Sequence, residues 1–117
     1  MTTKAAFLPS PCDPYITIMW FNFFEKVWQQ EVDKLYIYLN SPIEKPVFDF
    51  MVKFLSNHPK VKLLTKRITN NHGPCLTEML LQSNEELTVF MEDDAIVFRP
   101  NAVTDCFDKI EKGHADI

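Results

Sequence analysis

Four short apolar runs, separated by longer amphipathic stretches, constrain the fold of this chain more than any other feature of its sequence. The runs lie at residues 4–8, 35–39, 61–64 and 87–91 and have the length and composition of β-strands. Between them apolar residues recur at helical spacing, as in the face formed by Trp20, Phe24 and Trp28. Strands that alternate with helices predict right-handed crossovers and a mostly parallel sheet. We therefore expect an α/β protein, built as a Rossmann-like three-layer α/β/α sandwich.

The same periodicity predicts which side chains face the core. In the helix predicted from Pro46 to about Asn57, the inward face includes Phe50 and Met51. In the helix that begins at Pro74, Met79 and Leu80 are expected inside. The fourth run is apolar on both faces, which is typical of a central parallel strand.

Composition excludes several classes of function. The 117 residues predict a single domain, residues 1–117, and the only two glycines cannot form a dinucleotide-binding or Walker phosphate loop. The net charge of −4 and the scattered basic residues argue against nucleic acid as a partner, so an anionic ligand would need a bridging cation. The three cysteines fit no metal or redox spacing, and neither a signal peptide nor a membrane span is evident. We expect a cytoplasmic protein.

Candidate ligand-binding residues follow the strands, because open α/β sheets bind ligands at the carboxyl ends of their strands. Ser10 with the neighbouring backbone forms a candidate ligand-binding segment that prolines would pre-order. Asp13 would either bond the ligand or cap the next helix. Arg67 would either reach a phosphate or be solvated. The complete set after the first three strands is Leu8, Pro9, Ser10, Pro11, Asp13, Asn40 and Arg67.

The fourth strand is followed by three consecutive carboxylates, Glu92, Asp93 and Asp94. Like charges between apolar segments repel one another, so a cation is expected if more than one of them is partly buried. Such oxygen ligands suit Mg²⁺ or Mn²⁺. The alternative is a solvated acidic turn that ends the strand.

The stretch LTVFMEDDAIVF, residues 87–98, resembles the acidic signature of the GT-A nucleotide-sugar glycosyltransferases, written D-x-D with E-x-D and E-D-D variants. Asn71-His72-Gly73 matches the polar N-x-G loop of that family, and Gly73 lies 19 residues before Glu92, a spacing typical of the family. The helix after this loop departs from the inverting members, because Thr77-Glu78-Met79 stands where they often have Ala-Arg-Asn. A looser similarity is to glycosyltransferases encoded by large DNA viruses of algae, which would place the protein in host cytoplasm.

The resemblance implies a role for each carboxylate. Asp94 would coordinate the metal directly, Glu92 would face the ribose or bind the metal through water, and Asp93 would shape the turn or hold the donor sugar. The donor would be a UDP- or GDP-linked sugar, and a hexose would pass to a glycan or protein acceptor. The resemblance also implies that this chain is the N-terminal, nucleotide-binding half of a longer domain. No catalytic base is assigned.

Two other classes of function remain open at this stage. The length and the strand–helix alternation also suit a signalling domain of the phospho-receiver type. Such a domain, however, has acidic residues after its first strand and an aspartate after its third, where this chain has Pro9-Ser10-Pro11 and Thr65-Lys66. The other class is a non-enzymatic α/β module, in which the acidic triplet is only a solvated turn.

Overall fold

The computed structural model describes residues 2–10, 14–40, 44–66, 72–92 and 95–112. Within these ranges strands and helices alternate as expected. The longer stretch after the first strand is composite: an α-helix leads into a π-helical segment at Phe24–Trp28 and a 3-10 turn at Gln29–Glu31. The regular elements are β1 Lys4–Ser10, α1 Pro14–Phe23, β2 Lys34–Asn40, α2 Lys45–Ser56, β3 Val61–Lys66, α3 His72–Gln82, β4 Leu87–Phe90 and α4 Ala102–Glu111.

The four strands form one parallel sheet in the order β3-β2-β1-β4. Strand β1 pairs with β2 from Ala5↔Lys34 to Ser10↔Leu39, and with β4 from Lys4↔Leu87 to Phe7↔Phe90. This is the first part of the doubly wound order 3-2-1-4-5-6. A receiver-type sheet, in contrast, has the order 2-1-3-4-5 and places β1 between β2 and β3. The strand order thus confirms the α/β, Rossmann-like expectation and contradicts the receiver alternative.

Helices pack on both faces of the described sheet, because side chains alternate along each strand. On one face, Ala6 and Leu8 of β1 join side chains of α1, α2 and α4 in the larger core. An aromatic group dominates it: the rings of Trp20 and Trp28 meet edge to face at 5.5 Å, and those of Phe24 and Trp28 at 4.8 Å. Aromatic pairs of this kind add to the stabilisation from burial itself. The prediction that this helical face is core is confirmed.

The second face carries a smaller core under α3. It contains Phe7, Tyr36 and Tyr38 from the strands and Met79 from the helix. The Tyr36 hydroxyl donates a hydrogen bond to Glu85 Oε1 at 2.6 Å. Burial, and then this contact with a carboxylate, raise the pKa of Tyr36 above its ordinary value of 10.0.

Three packing expectations were wrong. In α2, Phe48 is buried and Phe50 is 52% exposed, because the face in contact with the sheet follows Phe48, Met51 and Leu55. In α3, Leu80 is 51% exposed. Strand β4 lies at the edge of the described sheet, and β1 and β2 take its two interior positions, since the chain crosses over β1 before it forms β4. The spacing of apolar residues alone does not determine which face of a helix packs against the sheet, or in which order the strands pair.

A buried carboxylate fixes the start of α4. Glu31 is 7% exposed and accepts the backbone N–H of Asn101 at 3.1 Å and that of Thr104 at 2.8 Å. It also accepts the Thr104 hydroxyl at 3.0 Å. Asn101 has φ = 67°, a left-handed conformation in which asparagine is enriched. Glu31 therefore acts as a long-range helix cap that satisfies backbone donors left open at a helix N-terminus.

Candidate functional site

The strand order reverses at the carboxyl edge of the sheet, between β1 and β4, and we call this point the crevice because open α/β sheets form their ligand crevice there. Parallel α/β sheets bind ligands where the strand order reverses, and here the chain proceeds from β1 to β3 on one side and adds β4 on the other. The Met91 N–H donates to the Phe7 carbonyl at 2.8 Å, which continues the pairing one residue beyond β4. The end of β1 and the segment that begins at Glu92 therefore lie side by side. Two of the segments predicted from strand ends are brought together.

The end of β1 presents backbone rather than long polar side chains. Leu8 is fully buried in the larger core. Ser10 is 1% exposed, and its hydroxyl lies 2.9 Å from Thr17 Oγ1 of α1, with either oxygen able to donate. Pro9, between them, is half-buried. The Leu8 and Ser10 side chains thus hold the strand end in place. A ligand at this point would meet mainly Pro9 and the main chain.

We call residues 92–95 the acidic segment, and hydrogen bonds are described at its first and last residues, Glu92 and Ala95. At its start, Glu92 is exposed, and among the described residues its carboxylate makes no hydrogen bond or ion pair. The Ala95 N–H donates to the Glu92 carbonyl at 3.1 Å. The Ala95 carbonyl in turn accepts the indole N–H of Trp20 at 3.1 Å. Asp93 and Asp94 lie outside the described residues.

The remaining predicted contacts are located only in part. Asn40 is the last residue of β2 and pairs with Lys66 of β3, one strand further from the crevice than β1. The side chain of Asn40 lies outside what the structure describes. So do Pro11, Asp13 and Arg67 as whole residues. These assignments therefore stay predictions.

The residue types present fit a divalent cation. Carboxylate oxygens are preferred by Mg²⁺ and Mn²⁺, and those of Glu92 are exposed at the edge of the crevice. In the ranges that the structure covers, no group of three or more His, Cys, Asp or Glu is placed to hold a metal. Of the two predicted ligands, Glu92 is described and Asp94 is not. Metal binding at this site is thus a proposal.

Two residues of α1 were missed as parts of this site. Thr17 and Trp20 lie one turn apart on its buried face and contact the two segments that flank the crevice. The sequence did contain a signal, since a buried tryptophan usually finds a partner for its indole N–H. That signal does not reveal which carbonyl accepts, because Ala95 is 75 residues away.

Comparisons with known proteins support the fold. A scan of protein-family models and a search of curated proteins gave no match. Among solved structures, the chain is similar to the crystal structure of S. aureus TarS 1-349, a staphylococcal glycosyltransferase, with a TM-score of 0.71 and 16% sequence identity. The alignment covers 98% of this chain and 34% of that chain. The fold is therefore similar to that part of TarS, and this chain spans about a third of the TarS structure that it matches.

No helix in the described ranges combines the length and the apolar character needed to cross a membrane.

Proposed function

We propose that this chain is the donor-binding part of a metal-dependent glycosyltransferase. Its donor is a sugar linked to UDP or GDP, its ion is Mn²⁺ or Mg²⁺, and its acceptor is a glycan or protein that receives a hexose. A viral origin, a cytoplasmic location and a GT-A assignment belong to the same proposal and rest on the sequence. The chain is proposed to be the N-terminal half of the complete enzyme.

One observation carries the proposal: the acidic segment meets the end of β1 at the point where the strand order reverses. The hydrogen bond from Met91 to Phe7 gives this juxtaposition directly. A random acidic turn has no reason to occur at the one position of a parallel sheet where ligands bind. The similarity in fold to TarS is consistent with a nucleotide-sugar donor.

The roles of the residues follow from their positions. The end of β1, with Pro11 and Asp13 beyond it, would hold the nucleoside between the sheet edge and α1. Glu92 and Asp94 would hold the cation, and Asp93 would contact the donor sugar. Asn40 and Arg67, after β2 and β3, would reach more distant polar groups of the donor. No residue is assigned as the catalytic base.

A bound divalent ion would neutralise the diphosphate and stabilise the charge that develops on it as it leaves. This chemistry suits an acidic chain of net charge −4 with two glycines, since a glycine-rich phosphate loop is absent from the sequence. The chain's own contribution would be to supply the carboxylates of Glu92 and Asp94 where the strand order reverses. Ser10 and Trp20, each 1% exposed, would form the buried support beneath them.

Calorimetric titration of the chain with UDP and GDP, in Mn²⁺ and in EDTA, tests the proposal. The sequence offers a matched control, because Glu86 precedes β4 and Glu92 follows it, and both are exposed. We expect Glu92→Gln to weaken Mn²⁺-dependent binding by roughly tenfold or more, and Asp94→Asn to abolish it. Glu86→Gln, at the opposite end of the strand, should bind like the unmodified chain. An absence of binding to either nucleotide in Mn²⁺, or an equal loss in both glutamine variants, would refute the proposal.

A non-enzymatic module is the competing function. It predicts that Glu92→Gln and Asp94→Asn leave all binding unchanged and raise stability by relieving repulsion between like charges. The same titrations, followed by urea unfolding of each variant, separate the two. Transfer itself should be assayed in a complete enzyme, since the chain matches 34% of the TarS structure.

A further inference from the structure

Helix α1 is bonded to both segments that border the crevice. Thr17 reaches the end of β1 through Ser10, and Trp20 reaches the far end of the acidic segment through the Ala95 carbonyl. Both α1 side chains are at most 1% exposed. The separation between these two segments is therefore set by a single rigid helix, rather than by the loops themselves.

The indole of Trp20 has little freedom to move. It stacks on Phe24 with a centroid distance of 6.2 Å and an interplanar angle of 6°, and it meets Trp28 edge to face at 5.5 Å. Because these contacts fix the ring, the direction of its N–H is fixed as well. Ala95 itself is exposed, so its position depends on such a bond more than on packing.

We infer that Trp20 is a positioning residue for the acidic segment. Its indole N–H fixes the Ala95 carbonyl, and the Ala95 N–H fixes the Glu92 carbonyl, so the main chain on either side of Asp93 and Asp94 is tied to the aromatic core. The inference rests on the proposed function in one respect: the ligand affected is the metal-bound diphosphate. Trp20 touches no ligand and acts through the main chain alone.

The chain contains a matched control for this role. Trp28 is equally buried, belongs to the same aromatic group, and makes no hydrogen bond through its indole among the described residues. Trp20→Phe and Trp28→Phe each remove similar volume from the same core. Only the first removes the bond to Ala95. A difference between the two variants therefore reports the hydrogen bond and not the loss of packing.

Two measurements test the inference on the 117-residue chain. Amide hydrogen exchange at Ala95, followed by NMR, reports the bond from its N–H to the Glu92 carbonyl. Loss of the indole bond to the Ala95 carbonyl frees the same residue, so exchange should become about fivefold faster in Trp20→Phe. The change should be smaller in Trp28→Phe, which loosens the Trp20 ring but keeps that bond. The affinity for UDP or GDP in Mn²⁺ should fall about fivefold in Trp20→Phe alone, while any affinity that remains in EDTA is unaltered. Should Trp20→Phe fail to fold, benzothiophene in place of the Trp20 indole keeps the ring volume and lacks the donor.

The two readouts separate the possible failures. Unchanged exchange at Ala95 in the Trp20 variant, or equal changes in both variants, would overturn the positioning role regardless of what the chain binds. If exchange behaves as expected but the unmodified chain binds neither nucleotide in Mn²⁺, the proposed function fails, and the ligand consequence of Trp20 fails with it. A loss of affinity in EDTA as large as that in Mn²⁺ would also contradict the inference.

Discussion

Removal of the Glu31 carboxylate should destabilise the whole protein by detaching the start of α4. Glu31 lies in the 3-10 turn before β2, and its two oxygens accept three hydrogen bonds from Asn101 and Thr104. We consider two substitutions. Glu31→Gln keeps one acceptor oxygen and removes the charge, whereas Glu31→Ala removes every bond.

The size of each effect follows from these contacts. Replacing a local N-cap by alanine costs about 0.5–2 kcal/mol, and a partly buried anion at a helix N-terminus contributes up to about 2 kcal/mol. Because Glu31 is 7% exposed, water replaces its bonds poorly. We therefore expect Glu31→Ala to lower the free energy of unfolding by about 3 kcal/mol, and Glu31→Gln by about 1–2 kcal/mol.

Urea unfolding, followed by tryptophan fluorescence, measures both values, since Trp20 and Trp28 are buried and report the folded core. Glu25 provides the control, because it lies in the adjacent π-helical segment, is exposed, and makes no side-chain bond among the described residues. Glu25→Gln and Glu25→Ala should change stability by less than about 0.5 kcal/mol. If Glu31→Ala costs no more than Glu25→Ala, the assignment of Glu31 as the cap of α4 is refuted.

Two further predictions concern the two faces of the sheet. The raised pKa of Tyr36 means that its folded-state stabilisation is complete below the ordinary value of 10.0 and is lost as pH rises above it. The free energy of unfolding should thus fall more steeply above pH 10.0 in the unmodified chain than in Tyr36→Phe, and equal slopes in alkaline urea titrations would contradict this. On the other face, Phe48→Ala should cost about 3–5 kcal/mol and Phe50→Ala less than about 1 kcal/mol, as measured by urea unfolding. Similar losses of stability at both positions would contradict the assignment of Phe48, and not Phe50, to the face of α2 that packs against the sheet.

The fold was predictable because its signals are local. Each strand is a short apolar run, and each helix has an apolar face, so the alternation of elements could be recognised within windows of about ten residues. The order β3-β2-β1-β4 could not be recognised in this way. The sequence of a helical crossover does not indicate on which side of β1 the next strand pairs. The phase of α2 was missed for a related reason, since Phe48 and Phe50 are equally apolar and only the sheet selects between them.

The candidate site could be predicted only by the chemistry of its residues. Ser10 and Glu92 were predicted as ligand-binding residues because polar residues that follow strands gather at one edge of a parallel sheet, and that role stays a prediction. What the sequence did not show is that the Ser10 hydroxyl is bonded to Thr17, or that Trp20 reaches Ala95. Contacts across such separations depend on how helices pack, and a single sequence carries no record of them. The same holds for the Glu31 cap, 73 residues from Thr104.

The interior position of β1 has a consequence for the order in which the protein assembles. Its pairing with β2 joins residues 29 apart, Ala5 and Lys34, whereas its pairing with β4 joins Lys4 and Leu87, 83 apart. Closing the longer loop costs about 0.9 kcal/mol more in chain entropy, and β4 is also synthesised after the other three strands. The β1–β2–β3 part of the sheet can therefore form first, while one edge of β1 stays unpaired until β4 forms. The proposed donor site is complete only when β4 pairs with β1, so we expect donor binding to follow the pairing of the first three strands.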